Sequence, residues 1–360
     1  MTTEGGAFVS VRPGVGSIGR ARRRPIALAA GGLVGLLVVA CLGVAFGSVA
    51  IAPLDTLAIV GHHLFGIDLG RSWSPSAEAI VWDLRVPRVL TSMVVGTALE
   101  VAGATFQGLF RNPLADPYGL GTASGAALGA AIAVLLPVRF VILGFGLLQG
   151  LAFLGALGSI YTVYRLSRIG GLSPLTSLLL TGYAVGSLLA AGLAMAMYLS
   201  GAALRQIFSY LLGGFENASW PQLAGTLPLV AVGCALILLR ARSLNGLLLG
   251  EEAAAHLGID VGRERAILLA LASLVTAAAV AVSGLIGFVG LVVPHVVRLI
   301  VGPSARLVLP LSALGGAVLL AFADVVARSA GDIPVGIVTA LIGAPFFIVL
   351  LRRVRTGYEL

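Results

Sequence analysis

The 360-residue chain contains no lysine, so arginine supplies all of its side-chain positive charge apart from any protonated histidine. The phosphate-binding loop of ATP-hydrolysing proteins needs the pattern Gly-x-x-x-x-Gly-Lys, in which the lysine reaches the terminal phosphates. A chain without lysine cannot form that loop. The sequence also lacks the His-Glu-x-x-His zinc pair and the Gly-x-Ser-x-Gly nucleophile turn. We therefore predict that the chain is not an enzyme and has no catalytic or metal-binding residues of its own.

Cysteine is almost as scarce as lysine. Cys41 and Cys234 are the only two, and each lies alone inside an apolar run. Isolated buried cysteines behave as small hydrophobic residues, so neither a disulfide nor a metal site is expected. Charged residues make up only 11% of the chain, against 58% hydrophobic residues and a mean hydropathy of +1.05. A water-soluble domain of this length does not have that balance.

Most of the sequence consists of long apolar runs. A helix crosses ~30 Å of hydrocarbon with about 20 apolar residues, and the chain contains about ten such runs. We therefore predict an all-α polytopic membrane protein with about ten transmembrane helices. They are expected near residues 26–50, 86–107, 119–138, 140–164, 174–199, 222–240, 266–284, 286–301, 307–328 and 333–351.

The arginines cluster at the ends of these runs, which gives an orientation. The net charge of +8 therefore reflects membrane topology, because cytoplasmic loops collect positive charge, and no basic surface interleaved with aromatics suggests nucleic acid. Arginine-rich segments at both ends place both termini in the cytoplasm. We expect a cytoplasmic tail at 1–24, a transmembrane permease domain at 25–353 and a second cytoplasmic tail at 354–360. Residues 51–85 and 200–221 are expected outside, the latter with a short surface helix.

Three stretches have a distinctive sequence. Arg85–Leu128 runs RVPRVLTSMVVGTALEVAGATFQGLFRNPLADPYGLGTASGAAL, with a rigid polar turn between two spans. Val282–Gly302 runs VSGLIGFVGLVVPHVVRLIVG, and Ala323–Arg353 contains DIPVGIVTALIGAPFF. These motifs closely resemble the permease subunits of ABC importers for iron–siderophore complexes, haem and vitamin B12. The resemblance covers nearly the whole chain after residue 24.

The resemblance implies a function and a set of partners. The chain is expected to form the translocation pathway for an iron chelate (siderophore or haem), with cobalamin as the alternative cargo. It is expected in the bacterial cell membrane as a homodimer, or as a heterodimer with a close paralogue. Two separate ATPase subunits would bind ATP and magnesium, and an extracytoplasmic binding protein would deliver the cargo. No cofactor is expected in this chain.

Residues 241–265 form the one substantial cytoplasmic loop. Within it Leu247–Gly258 predicts a short helix, with acidic residues in its first turn that suit the helix dipole. In the resembled family this loop docks into a groove of the ATPase, whereas an unattached surface helix is the alternative. The resemblance assigns this coupling role to Leu249, Gly250, Glu251, Glu252, Ala255, His256, Leu257 and Gly258.

Three arginines on the outer face oppose the positive-inside bias and call for an explanation. By resemblance, Arg85, Arg88 and Arg328 receive carboxylates of the binding protein, a task for which the guanidinium fork is suited. The alternative is an intrachain pair with Asp83 or Asp324, or positioning at the membrane interface.

The gate and the pore are also assigned by resemblance alone. Leu175 and Thr176, just before the fifth span, match the cytoplasmic gate of the family. Thr181, Tyr183 and Ser187 are the polar side chains of the fifth span, which together with the tenth lines the pathway. A weakly polar wall suits a bulky cargo that must not bind tightly in transit.

Glu100 departs from the family pattern, which has a small or apolar residue there. An ionisable group in mid-span is costly and is a functional suspect by default. An ion-coupled secondary transporter is the competing interpretation, but it normally shows several midplane charges or paired broken helices. His295 in VVPHVVR is expected to pack or to form a hydrogen bond.

Overall fold

The protein is described by a computed structural model that covers residues 15–47, 49–67, 70–138, 140–142, 144–167 and 175–356. Nearly all of these residues are helical. The helices are α1 (Val15–Ala45), α2 (Pro53–Phe65), α3 (Pro75–Glu78), α4 (Val86–Phe110), α5 (Thr122–Leu135), α6 (Leu147–Ser167), α7 (Leu175–Leu199), α8 (Leu204–Leu212), α9 (Trp220–Leu239), α10 (Ala241–Leu248), α11 (Glu251–His256), α12 (Val261–Ser283), α13 (Val289–Val301), α14 (Ala305–Ser329) and α15 (Val335–Thr356).

Short elements connect several of these helices. A π-helical segment, Ala79–Arg85, joins α3 to α4, and 3-10 turns occupy Pro117–Leu120 and Gly201–Ala203. Two-residue strands β1 (Val141–Ile142) and β2 (Phe145–Gly146) pair antiparallel before α6.

The helix count confirms the predicted architecture. In the described part of the chain, seven helical stretches are long and apolar enough to span a bilayer. Three shorter apolar helices, in α5, α13 and α15, bring the number to the expected ten. Spans dominate because lipid offers no hydrogen-bond partner to the backbone, and a helix satisfies its own N–H and C=O groups.

Helix α4 lies at the centre of the bundle and is buried along almost its whole length. It packs against α14, α12, α13 and α9, while α5, α6 and α7 form a neighbouring group joined to the centre through α12. Glycines permit this closeness. A Cβ at Gly96 would lie 2.1 Å from the carbonyl oxygen of Gly316, and one at Gly103 would lie 2.0 Å from that of Gly290. The backbones of α4, α14 and α13 therefore touch directly, as small residues allow in lipid.

Several details differ from the sequence prediction. The helix that carries the first span begins at Val15, inside the predicted tail 1–24, whose first 14 residues lie outside the described part, as do residues 357–360. The outer segment 51–85 is largely helical, since it contains α2 and α3. The surface helix expected within 200–221 is confirmed as α8. In the predicted capping turn, Asn112 Oδ1 accepts from the N–H of Leu114 and Asp116 Oδ1 from that of Tyr118.

The contact between α4 and α13 gives a stability prediction. We expect Gly103→Ala to destabilise the folded protein by about 1–3 kcal/mol, because the added methyl meets backbone that cannot turn aside. Gly158 in α6 is the matched control, because a Cβ there meets nothing within 4 Å. Gly158→Ala should be neutral or stabilising by about 0.5–1 kcal/mol. Thermal unfolding in detergent measures both, and equal midpoints for the two variants would contradict the packing argument.

Candidate docking, coupling and pore surfaces

Arg85 lies inside the protein at the outer end of α1. Only 5% of the residue is exposed. Its Nη1 donates to the carbonyl oxygens of Val44 at 3.0 Å and Ala45 at 2.9 Å, and its Nη2 donates to that of Val49. The last carbonyls of a helix have no partner within the helix, and a cation near them is favourable. Arg85 therefore caps the C-terminal end of α1.

Arg328 reaches the same end of α1 from α14. Its Nη1 donates to the carbonyl oxygens of Gly43 at 2.9 Å and Phe46 at 3.1 Å. Its Nε lies 3.1 Å from Oδ2 of Asp324, one turn earlier on α14, and the Asp324 side chain is fully buried. Two arginines from two different helices thus hold α1 against the bundle, and a buried carboxylate balances part of their charge.

Arg88 completes the cluster and is its most exposed arginine, at 15% of the side chain. Its Nε and Nη2 both lie 2.9 Å from Oδ1 of Asp324. Its Nη1 lies 3.7 Å from Oδ1 of Asp332, in the turn between α14 and α15. The intrachain pairing with Asp324, one of the alternatives from the sequence, is thus present in this structure. Docking of a binding protein on these arginines stays a prediction.

Local backbone geometry sets the positions of Arg85 and Arg88. Pro87 has no N–H, so it cannot donate to the carbonyl of Asp83 as a regular helix requires. The chain forms the wider π-helical segment just before this proline, which is a common device at functional sites. Arg85 consequently points towards α1, whereas Arg88 points towards α14.

The outer segment that carries α2 and α3 is fastened by aromatic and histidine side chains. His63 Nε2 lies 2.7 Å from Oε1 of Glu78, and the Trp73 indole donates to the other carboxylate oxygen at 3.1 Å. These two bonds lower the pKa of Glu78. The His63 ring stacks on Trp82 at 4.3 Å, and the Trp220 indole donates to the Trp82 carbonyl at 2.9 Å. The three tryptophans therefore hold the α2–α3 segment together and join it to α9.

The cytoplasmic loop differs from the single helix that the sequence suggested. Gly250, with φ of 114°, separates α10 from α11, and Gly258, with φ of 78°, lies just after the end of α11. Such angles suit glycine, which has no Cβ to clash. Ion pairs tie the loop to α12: Arg240 with Glu264, and Arg265 with Glu251.

The predicted coupling residues are exposed, apart from the half-buried Gly250, and they surround Ala254, which was not among them. Ala254 is fully buried, while Leu249 and Leu257 are 69% and 64% exposed. Glu252, Ala255, His256 and Gly258 are also exposed. Two large exposed apolar side chains on this loop suit a protein partner that would bury them.

The residues assigned to the gate and pore lie on α7. Leu175 begins this helix, although its side chain lies outside the described part, as do residues 168–174. Thr176 and Ser187 are exposed, Thr181 is half-buried and Tyr183 is 78% exposed. The structure thus places these polar groups on one helix that is largely uncovered in a single copy of the chain.

Glu100 lies in the bundle interior, whereas His295 is half-buried. Glu100 is fully buried, and its Cγ fills the space that Gly316 leaves by lacking a side chain. None of the ion pairs in the described part includes it. The His295 ring packs edge-on against Phe346 of α15 at 6.0 Å, as expected of a packing residue. Within the described residues no group of three histidine, cysteine or acidic side chains could hold a metal ion.

The sequence analysis missed Asp332 and the partner of Arg298. Arg298 bonds to the side chain of Gln107 and donates to the carbonyl of Ala104 at 3.2 Å, which joins α13 to α4. An arginine at the cytoplasmic end of a span looks like a topology signal, so no feature of the sequence pointed to this bond. Asp332 follows Gly331 in a turn, where an acidic residue needs no explanation.

A ten-span bundle with an exposed helical loop and a largely uncovered α7 is consistent with a membrane transport subunit. The model of the FecCD transport family matches residues 35–353, so the chain belongs to that family of ABC importer permeases. ATP hydrolysis accordingly resides in a separate subunit. The chain is a multi-span protein of the cell membrane that works with ATPase and substrate-binding partners.

Two curated relatives and one solved structure are similar over most of the chain. The cobalamin import system permease protein BtuC of Halobacterium salinarum is 47% identical, covering 83% of this chain and 79% of its own length. The hemin transport system permease protein HmuU of Yersinia pestis is 42% identical, covering 79% and 87%. A metal-chelate-type ABC transporter in an inward-facing conformation has a TM-score of 0.78 at 30% identity, covering 91% and 99%.

The cap on α1 gives a second stability prediction. Arg85→Ala should destabilise the protein by about 2–4 kcal/mol, because it removes a buried arginine and leaves three carbonyl oxygens at and just beyond the end of α1 without these donors. Arg71 is the control, since it pairs with Asp55 at the surface, where the two side chains are 43% and 31% exposed. Arg71→Ala should change stability by less than about 1 kcal/mol. The midpoint of thermal unfolding in detergent measures both effects. An unchanged midpoint in Arg85→Ala would show that the packing of α1 does not depend on this cap.

Proposed function

We propose that two copies of this chain form the translocation pathway of an ABC importer whose cargo is cobalamin. The observation that supports the pairing is the uncovered face of α7 in a single copy. Leu180, Tyr183, Leu188 and Tyr198 are 70–85% exposed there. Helix α15 adds Leu341 at 69%. A second copy would cover part of these faces and leave the polar groups of α7, Thr181 and Ser187, along a weakly polar pathway.

The proposed cargo rests on the relatives. The cobalamin import permease at 47% identity supports cobalamin, and the hemin transport permease at 42% supports haem as the second candidate. An iron–siderophore complex is the third cargo in keeping with the family. A homodimer and a heterodimer with a paralogue both fit the uncovered faces. We favour the homodimer, because this chain carries both α7 and α15 and can therefore present both uncovered faces to a second copy of itself.

The proposed ATPase contact is the surface formed by Leu249, Leu257 and the exposed residues of α11. Each of two ATPase subunits would bind ATP and magnesium and receive one such surface in a groove. The ion pairs of Arg240 and Glu251 with Glu264 and Arg265 of α12 would transmit the movement of the ATPase to the spans. The binding protein would dock on the opposite face, where Arg88 offers the most accessible guanidinium and Arg85 and Arg328 hold the platform together.

Uptake by reconstituted transporter tests this proposal. The permease is combined in proteoliposomes with its cognate ATPase and binding protein, and ATP-dependent accumulation of cobalamin, hemin and a ferric siderophore is compared. Cobalamin accumulation is expected to exceed the other two. Accumulation of hemin alone would identify haem, and not cobalamin, as the cargo. If none of the three compounds accumulates when ATP is supplied, the proposed transport function is wrong.

A matched pair of variants tests the coupling surface in the same assay. Leu257→Asp should weaken ATPase binding by about tenfold, because a charge replaces an apolar contact. Leu257→Met keeps the apolar character and should retain uptake. If Leu257→Asp transports as well as the unchanged protein, this surface does not bind the ATPase.

The orientation is tested by cysteine labelling. With both termini in the cytoplasm, Ser76 lies outside and Ala255 inside, and both positions are exposed. In a Cys41→Ala, Cys234→Ala background, an impermeant maleimide added to intact cells should label Ser76→Cys. It should label Ala255→Cys only after the membrane is opened. The reverse pattern would invert the proposed topology.

A further inference from the structure

We propose that Asp332 lies beside Nη1 of Arg88, where a carboxylate of the binding protein binds on docking. Asp332 therefore competes with that carboxylate and weakens docking. This inference rests on the proposed docking function of Arg88. It concerns the two edges of one guanidinium group, which the structure assigns to two different carboxylates.

The inner edge of Arg88 is permanently occupied. Both Nε and Nη2 lie 2.9 Å from Oδ1 of Asp324, whose side chain is fully buried. A charged side chain without access to water is stable only when it is paired and hydrogen-bonded. Asp324 is also held by Arg328, at 3.1 Å from its Nε. No partner protein could displace Asp324 without breaking the cluster that caps α1.

The outer arm of Arg88 is held far more loosely. Its Nη1 lies 3.7 Å from Oδ1 of Asp332, which is beyond hydrogen-bond distance. The Asp332 side chain is 44% exposed, so water screens this pair. Exposed ion pairs contribute little, because solvation and side-chain entropy offset their attraction. Arg88 thus has one side, Nε and Nη2, that is bound to Asp324, and one group, Nη1, that an incoming carboxylate can bind.

Asp332 stands at this place because of the backbone rather than through packing. It lies in the turn between α14 and α15 with φ of 55°, after Gly331 with φ of 96°. Aspartate and asparagine tolerate this left-handed conformation better than most residues. Asp332→Asn therefore removes the charge while the turn keeps its shape, which makes it a suitable test.

A carboxylate that approaches Arg88 from outside meets attraction from the guanidinium and repulsion from Asp332. Removing the Asp332 charge should remove the repulsion and free the Nη1 donors. We expect the binding protein to associate with the Asp332→Asn transporter about two- to fivefold more tightly, in keeping with a partly exposed charge pair. The gain should shrink at high salt, because exposed charges are screened.

The experiment measures binding of the cargo-loaded binding protein to the assembled transporter in nanodiscs, at low and high salt. Asp55→Asn is the matched control: it removes the same charge from the same face, but Asp55 pairs with Arg71 on the α2 side. Its affinity should equal that of the unchanged transporter. An equal gain from both variants would show a general charge effect and overturn the proposal.

Arg88→Gln separates this inference from the function on which it rests. If Arg88→Gln leaves the affinity unchanged, docking on Arg88 is wrong. If Arg88→Gln weakens binding while Asp332→Asn does not strengthen it, docking stands and the competition by Asp332 is wrong.

A second measurement works without the binding protein. Phenylglyoxal modifies accessible guanidinium groups, and mass spectrometry of the α4 peptide reports its rate at Arg88. Asp332→Asn should raise that rate at least twofold, whereas Asp55→Asn should not. An unchanged rate in a variant with normal thermal stability would show that Asp332 does not guard this arm.

Discussion

The direct contact of the α4 backbone with those of α13 and α14 is the constraint on which the rest depends. In lipid the hydrophobic effect does not drive helices together, so close packing has to do so. Gly96 meets Gly316 and Gly103 meets Gly290 without a side chain between them. These contacts set the separation of the three helices and therefore the places where their ends emerge on both faces of the membrane.

At the outer face, this separation brings Arg88 of α4 and Arg328 of α14 onto one buried carboxylate, Asp324. Arg85 and Arg328 then close the end of α1, which otherwise packs mainly on α14. The cluster thus serves stability and presents one guanidinium arm to the exterior. The same arginines can hold the permease together and, through Arg88, contact a partner. A stability defect and a docking defect must therefore be measured separately.

On the other side and along α7, the chain leaves apolar and polar side chains uncovered. Leu249 and Leu257 stand out from a loop that ion pairs fix to α12, and Tyr183 stands out from a helix that the bundle hardly covers. In the proposed assembly these surfaces contact other subunits. Under that proposal a single copy is an incomplete transporter, and a second copy and the ATPase cover its exposed faces.

The sequence by itself determined the ten spans, because bilayer thickness and backbone hydrogen bonding leave few alternatives to apolar helices. It also determined the family, through RNPLADP and its companion motifs, and it predicted a short helix within the loop 241–265. Only the tertiary structure decided which partner each arginine holds. Arg88 is 236 residues from Asp324, and Arg328 is 285 residues from Gly43 of α1, so helix packing brings these groups together. The break at Gly250 and the role of Asp332 were likewise decided by backbone geometry, which residue type does not specify.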